Sequence, residues 1–404
     1  MASTHYPYVI VGGGLTGASA IEGIRSRDKE SPILVLAREN HPPYHRPPLS
    51  KGLWFGKETR DKLPVHPDDF YRENKVELFL RREAVELDPA KHVVWDDRGT
   101  EIGYGKLLLA TGGRPRMLDA EGADTEGVHY YRYLEDYLML ESKLPHFQHA
   151  LVVGGGFIGL ELAAALRHKG KDVTLLYPQE YPLRRVLPRE LGLYVADYYR
   201  EKGVETVSGE SVAALAARGG EIVATTHNSN SVTTEMVLVG VGIEPTTDLA
   251  DAAGLQVGNG IEVDEYARTS EPDIYAAGDV AEFPYLALDV RTRVEHWDHA
   301  IQHGRAAGAN MAGANHPYTT LPMFYSDFFD LGWEAVGDLD PGLVVEPVWK
   351  EPFRQGVLFY LRDDVVRGVL LWNSWGMVDW VRELIRKAKP MTSAERAAVI
   401  PSEG

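Results

Sequence analysis

Two runs of glycine carry the densest chemical signal in the chain: Gly12-Gly13-Gly14-Leu15-Thr16-Gly17 and Gly154-Gly155-Gly156-Phe157-Ile158-Gly159. Each has the G-x-G-x-x-G spacing of a dinucleotide fingerprint. The first glycine permits a tight turn, the second lets backbone approach a pyrophosphate, and the third lets helix pack on strand. A helix starting there points free N–H groups and its positive dipole end at the phosphates. One such run is a weak signal; two in the same setting point to two dinucleotide sites. The count of cysteines is zero, which removes disulfides, thiolate metal sites, iron–sulfur ligation and thiol nucleophiles together. Any electron chemistry must therefore belong to a bound cofactor, and a cysteine-pair disulfide reductase is excluded.

The elements that position these glycines read clearly. Tyr8-Val9-Ile10-Val11 is a short buried-type strand, a helix-like stretch runs from Ala18 to Arg27, and Ile33 to Leu36 is a second strand. The other fingerprint repeats the order with Ala150 to Val153, Leu160 to His168 and Val173 to Leu176. Further apolar strands run into glycine at Leu107 to Gly113, Val237 to Gly242 and Ile274 to Asp279, as expected of strands leaving a sheet toward a ligand. From about 319 the pattern changes. Val357 to Leu361 and Val365 to Trp372 read as a hairpin, and a helix is predicted over Met377 to Ala388. The expected fold is α/β: two nested Rossmann-like dinucleotide-binding domains, 1–118 with 246–318 and 119–245, followed by an α+β domain over 319–404.

Composition agrees with a folded, water-facing chain. Of 404 residues, 44% are hydrophobic and 25% charged, and no run of apolar residues is long enough to span a bilayer. The net charge of −17 disfavours nucleic acid and anionic membrane as partners. The N-terminus shows no basic, signal-like region, so a cytoplasmic location is expected.

Longer motifs carry a family resemblance. Pro43-Tyr44-His45-Arg46-Pro47-Pro48-Leu49-Ser50-Lys51, Ala110 to Arg116, Ala276 to Val280 and Val294-Glu295-His296-Trp297-Asp298-His299-Ala300 resemble the two-dinucleotide flavoprotein reductases. With Met323 to Asp327 and Gly356 to Asn373 included, the chain looks most like apoptosis-inducing factor and its microbial relatives, with ferredoxin and rubredoxin reductases next. The resemblance implies a glutathione reductase-like fold and an FAD-dependent NAD(P)H oxidoreductase. Hydride would pass from NADH to flavin N5, with oxidised nicotinamide retained against reduced flavin as a charge-transfer complex.

It also implies residue roles. On the FAD side stand Gly12, Gly14 and Gly17 at the pyrophosphate, Glu39 at the ribose and Asp279 at the ribityl chain. Arg46, Lys51, Thr111, Gly112 and Arg116 would lie near the flavin, with Glu295, His296, Trp297 and Tyr325 close to flavin and nicotinamide. On the NAD(P) side stand Gly154, Gly156, Phe157, Ile158, Glu161, Gln179, Arg185 and Gly242. Taken by themselves, Glu161 reads as an acid in the first turn of a helix and Lys51 as a solvated cation; the family pairs them near flavin N5, and with His296 they are the catalytic candidates. His296, His299 and His303 fall at helical spacing, but the family role of His296 is preferred and no metal is expected. Gln179 stands where an acid would bind the adenosine ribose, and Arg184 and Arg185 follow, which keeps NADPH open beside NADH. The electron acceptor stays open among a quinone, a ferredoxin-like protein and a small oxidant. A cofactor-dependent homodimer acting as a redox scaffold is a third alternative.

Overall fold

The apolar runs fold as strands because buried parallel sheets take residues that are apolar on both faces. A computed structural model describes residues 4–399. The backbone divides into two compact units, one gathering the chain up to His45 with Asp61–Arg114 and Glu244–Phe324, the other Arg46–Arg60, Pro115–Ile243 and the chain from Tyr325 on.

In the first unit, strand Thr4–Val11 lies between Ile33–Ala37 and Glu101–Leu109, parallel to both. Val76–Leu80 extends one side. On its other side strand Glu101–Leu109 serves two more neighbours: its first residues pair antiparallel with Val93–Asp96, its last three parallel with Ile274–Ala276. Strands Thr4–Val11, Ile33–Ala37, Glu101–Leu109 and Ile274–Ala276 therefore end at one edge, where open α/β sheets bind ligands. Helix Leu15–Arg25 leaves that edge and packs on helix Trp297–Met311 along a seam of glycines. A Cβ at Gly23 would stand 2.2 Å from the Arg305 carbonyl oxygen, one at Gly304 2.5 Å from that of Thr16, and one at Gly308 2.1 Å from that of Ala20. The two helices touch backbone to backbone.

The second unit repeats the design. Its parallel sheet has the order Val204–Ser208, Asp172–Tyr177, His149–Val153, Met236–Val239 and Val128–Tyr130, with helices Phe157–His168 and Arg189–Glu201. Its C-terminal part is a five-stranded sheet in the order Met323–Phe328, Leu331–Gly337, Val365–Trp372, Gln355–Arg362 and Val344–Glu351, with helix Val378–Lys387 burying Val381 and Ile385. The predicted hairpin is present as Gln355–Arg362 against Val365–Trp372. This sheet docks on the fingerprint side through aromatics: Phe157 meets Trp333 at 5.5 Å between ring centres, and Tyr199 meets Phe328 at 5.5 Å and Phe329 at 5.4 Å.

Both fingerprint helices begin three residues earlier than the sequence pattern predicts, at Leu15 and Phe157 rather than Ala18 and Leu160. The third glycine of each motif thus lies inside the helix, where helix propensity argues against it and close packing decides for it. No helix among the described residues is long and apolar enough to cross a membrane.

The glycine seam is testable. Gly308→Ala forces a methyl group against the Ala20 carbonyl and should destabilise the protein by about 2 kcal/mol or more. Denaturant unfolding would show a lower midpoint; an unchanged midpoint would mean the two helices are not in backbone contact.

Candidate functional site

Both glycine motifs form the same cradle. Gly12 has φ +128° and Gly154 φ +125°, a region closed to side chains. A Cβ at Gly12 would lie 2.1 Å from the Ala110 carbonyl oxygen, and one at Gly154 2.4 Å from that of Gly240. Gly17 and Gly159 press on the carbonyls of Gly12 and Gly154, where a Cβ would stand only 2.2 and 1.8 Å away. Gly14 and Gly156 differ. Each is the residue before its helix, with φ, ψ of −93°, −171° and −91°, −171°, and a Cβ there would meet nothing within 4 Å. The space above the middle glycine is open, and the helix N–H groups face it. Both cradles fit a pyrophosphate, so the residues present suit the FAD and the nicotinamide dinucleotide that the motifs imply.

The first unit also holds several of the other expected residues. Glu39, two residues beyond strand Ile33–Ala37, accepts a hydrogen bond from the Tyr44 hydroxyl. Gly278, at φ +75°, is pressed on Thr16 of the fingerprint helix, which sets Asp279 beside the helix start. Arg293 donates both to the Asp279 carbonyl (3.1 Å) and to Glu295 (2.5 Å). The Thr111 hydroxyl donates to the Thr246 carbonyl (2.7 Å), and Thr246 N–H returns a bond to Gly112 (3.0 Å), so this turn is fixed by its neighbour. Trp297 donates its indole N–H to His45 (3.2 Å). His296 lies flat on Phe324 with ring centres 4.1 Å apart, and burial brings its pKa down to about 4, so it is neutral near pH 7.

His299 and His303 have another task. His299 uses one ring nitrogen toward the Tyr318 hydroxyl (3.1 Å) and the other toward His303 (3.2 Å), and His303 Nδ1 accepts the Gly278 N–H (3.3 Å). Burial lowers both pKa values, that of His303 to about 3. These two neutral rings support the turn that carries Asp279.

The second unit holds the charged pair. Lys51 Nζ lies 3.2 Å from Glu161 Oε1 and 3.5 Å from Asp327, and 4.1 Å above the Tyr325 ring. Glu161 also accepts the hydroxyls of Ser50 (2.6 Å) and Ser326 (2.7 Å), and is 4% exposed. Lys51 is therefore not a solvated cation. Nor does Glu161 occupy the first helical turn; with the helix starting at Phe157 it falls in the second, and Lys51 and two serines stabilise it instead of the dipole. Desolvation pulls the Lys51 pKa down, but Glu161 and then Asp327 outweigh it, and the net shift is upward. The stabilisation from this lysine is therefore complete below its ordinary value and is lost only as pH climbs through the raised one. The motif around Lys51 is held by its own backbone: both the Trp54 indole N–H (2.7 Å) and the Tyr131 hydroxyl (2.6 Å) donate to the Leu49 carbonyl.

The remaining expected residues also lie in the second unit. Arg46 donates to the Arg132 carbonyl (3.2 Å) and covers the Tyr133 ring. Arg116 donates to the Ile243 carbonyl (3.0 Å), beside Gly242 at φ +100°. Phe157 and Ile158 open the second helix, Gln179 follows strand Asp172–Tyr177, and Arg185 is exposed beyond it. Sequence reasoning missed Ser50, Ser326, Asp327, Arg293 and His45. His45 and Ser50 lie inside the matched Pro43–Lys51 motif, and Ser326 and Asp327 in another matched segment. Only the packing shows which partner each one meets.

Two pyrophosphate cradles on parallel sheets, in a chain without thiols, define a flavin-dependent pyridine nucleotide oxidoreductase. Residues 6–304 match the family described as pyridine nucleotide-disulphide oxidoreductase, and the chain belongs to that family. Residues 344–387 match the C-terminal domain described as apoptosis-inducing factor, mitochondrion-associated. The chain is 32% identical to apoptosis-inducing factor 1, mitochondrial, of Dictyostelium discoideum, over 95% of this chain and 79% of that protein. It is 38% identical to the ferredoxin–NAD(+) reductase component of the anthranilate 1,2-dioxygenase system of Burkholderia cepacia, over 82% of each. A solved ferredoxin reductase from Rhodopseudomonas palustris superposes with a TM-score of 0.91 at 31% identity, covering 97% of this chain and 98% of that one. The chain is an FAD-dependent NAD(P)H oxidoreductase, near the ferredoxin reductases and similar to apoptosis-inducing factor. With no cysteine in the chain, the disulphide branch of that chemistry is closed to it.

Replacing Lys51 with methionine leaves the Glu161 carboxylate buried with two hydroxyl donors and no cation. Lys51→Met should cost about 3 kcal/mol near neutral pH. Guanidinium unfolding measures the loss; an unchanged midpoint would show that the carboxylate does not depend on the lysine.

Proposed function

We propose that the chain oxidises NADH at N5 of its FAD and hands the electrons to an acceptor outside the protein, in the manner of apoptosis-inducing factor. The observation that carries this reading is the pair of matched glycine cradles, each open above its middle glycine. When bound, the flavin supplies the ring that takes a hydride and stores two electrons.

The chain's own residues do the rest. The first cradle binds the FAD pyrophosphate, Glu39 the ribose and Asp279 the ribityl chain, with the His299–His303 pair and Arg293 stiffening the Asp279 turn. Arg46, Lys51, Thr111, Gly112 and Arg116 serve the flavin side, where fixed positive charge favours the reduced ring. Lys51 and Glu161 form an orienting pair: Glu161 fixes the ammonium, and the serines fix Glu161. His296, neutral near pH 7, offers an uncharged ring toward the flavin and nicotinamide, with Glu295, Trp297 and Tyr325 as its neighbours in role. The second cradle, with Phe157, Ile158 and Gly242, binds the nicotinamide dinucleotide. By this assignment FAD belongs to 1–118 and 246–318, NAD(P) to 119–245, and 319–404 forms the α+β domain.

A ferredoxin-type electron acceptor is the second reading. Trp297, its indole tied to His45, supports it, as do the relatives named ferredoxin reductases. Addition of NADH without air separates the two. A broad long-wavelength absorbance that then persists in air supports the first, and cytochrome reduction that requires an added iron–sulfur protein supports the second.

The two cradles can be disabled one at a time. A Cβ at Gly14 or Gly156 meets no protein atom within 4 Å, so a valine variant should keep the fold while the phosphate loses its place. Gly14→Val should purify colourless. Gly156→Val should remain yellow yet need at least about tenfold more NADH for flavin reduction, the loss of ~1.4 kcal/mol of binding. Yellow protein from Gly14→Val would contradict the assignment of FAD to the first motif.

A further inference from the structure

We propose that Arg184 and Arg185 form a site for a ribose 2′-phosphate, so that the second cradle accepts NADPH as well as NADH. This rests on the reading of that cradle as the nicotinamide dinucleotide site.

In such folds the adenosine ribose lies at the end of the second strand, where an acid binds the 2′-hydroxyl and repels a 2′-phosphate, while an arginine accommodates it. Here that strand ends at Tyr177 and is followed by Pro178, Gln179 and Glu180. Gln179 carries no charge. Glu180 is gripped by the Arg189 guanidinium, with Nε 3.0 and 3.2 Å from its two oxygens. The next acid, Glu210, whose N–H bonds the Tyr177 carbonyl, is buried and takes the Asn230 amide at 2.7 Å. Both oxygens of Glu180 and one of Glu210 are thus already engaged.

The cations, by contrast, are exposed and held in place by the loop beneath them. Leu183, at φ +55°, donates its N–H to the Gly155 carbonyl at 2.8 Å, fastening the loop to the fingerprint itself. Tyr181 and Leu187 are buried on either side, and Gly192 leaves room for the Tyr181 ring. From the C-terminal sheet, the Tyr360 hydroxyl donates to the Val186 carbonyl at 2.5 Å. Arg184 and Arg185 stand between the two anchors at Leu183 and Val186. A guanidinium whose backbone is already fixed loses little freedom on gripping phosphate, and its planar fork suits two oxygens at once.

Calorimetry on the flavin-loaded protein tests this, with ADP-ribose and 2′-phospho-ADP-ribose as probes. The phosphorylated probe should bind at least about tenfold tighter, as expected of a charge-assisted pair. That ratio should fall toward one in the double variant Arg184→Gln/Arg185→Gln and with rising salt. Gln179→Glu should lower it as well, by restoring a carboxylate. Equal affinities in the unaltered protein, or a preference that survives the double variant, would overturn the proposal while leaving the cradle intact. If neither probe binds, the cradle reading falls and the proposal falls with it.

Discussion

The whole arrangement depends on one short distance: how closely a helix can approach the strand that feeds it. A helix end can offer its free N–H groups to a phosphate only if the chain turns sharply and no side chain intervenes. At Gly17 and Gly159 even a methyl group would overlap a carbonyl oxygen of the same motif. The consequence reaches past the turn. Because helix Leu15–Arg25 starts so close to the strand, its far side is free to meet helix Trp297–Met311 through Gly23, Gly304 and Gly308, and Gly278 closes on Thr16 from another side. Backbone contact at the phosphate site and backbone contact between the helices are one continuous constraint.

Within the second unit, the buried pair Lys51–Glu161 plays a similar organising part. Three segments remote in sequence supply it: the motif before Lys51, the fingerprint helix with Glu161, and strand Met323–Phe328 with Ser326. A buried ion pair is seldom a net source of stability, since desolvation offsets most of its attraction. Its value here is geometric. Two hydroxyls and an ammonium leave the Glu161 carboxylate few alternatives, so the C-terminal sheet contributes to this buried charged cluster as well as to a core. The Tyr360 hydroxyl does the same for the loop after the second strand.

Much of this was legible before any fold was drawn, and the reason is chemical. A phosphate cradle is a local motif: six residues, their flanking strand and their helix contain the whole argument, so both strand–turn–helix units were readable from spacing and context. Helix starts were misplaced by three residues because propensity places glycine outside a helix, whereas tertiary packing placed Gly17 and Gly159 inside. Lys51 illustrates the opposite limit. By spacing it is a surface cation, and only family resemblance paired it with Glu161. The two serines that complete the carboxylate's shell are separated from it by 111 and 165 positions, and serine carries no pattern of its own. His299 and His303 invited a metal reading through periodicity, yet both nitrogens of His299 and the Nδ1 of His303 are used on Tyr318, on each other and on a backbone N–H.

A chain of net charge −17 that must hold two anionic dinucleotides faces an evident conflict, and the helix starts show how it is met. Long-range repulsion is screened beyond ~8 Å at physiological salt, so the contest is decided at contact. Acids occupy the first turn of helix Leu134–Lys143 (Glu135, Asp136), Arg189–Glu201 (Glu190), Trp297–Met311 (Asp298) and Val378–Lys387 (Asp379), where each gains from the helix dipole. The first turns of Leu15–Arg25 and Phe157–His168 contain none. An acid there would take the same dipole stabilisation and occupy the place of the phosphate. Leaving these two turns uncharged forgoes that gain to the fold and leaves both helix ends open to an anion.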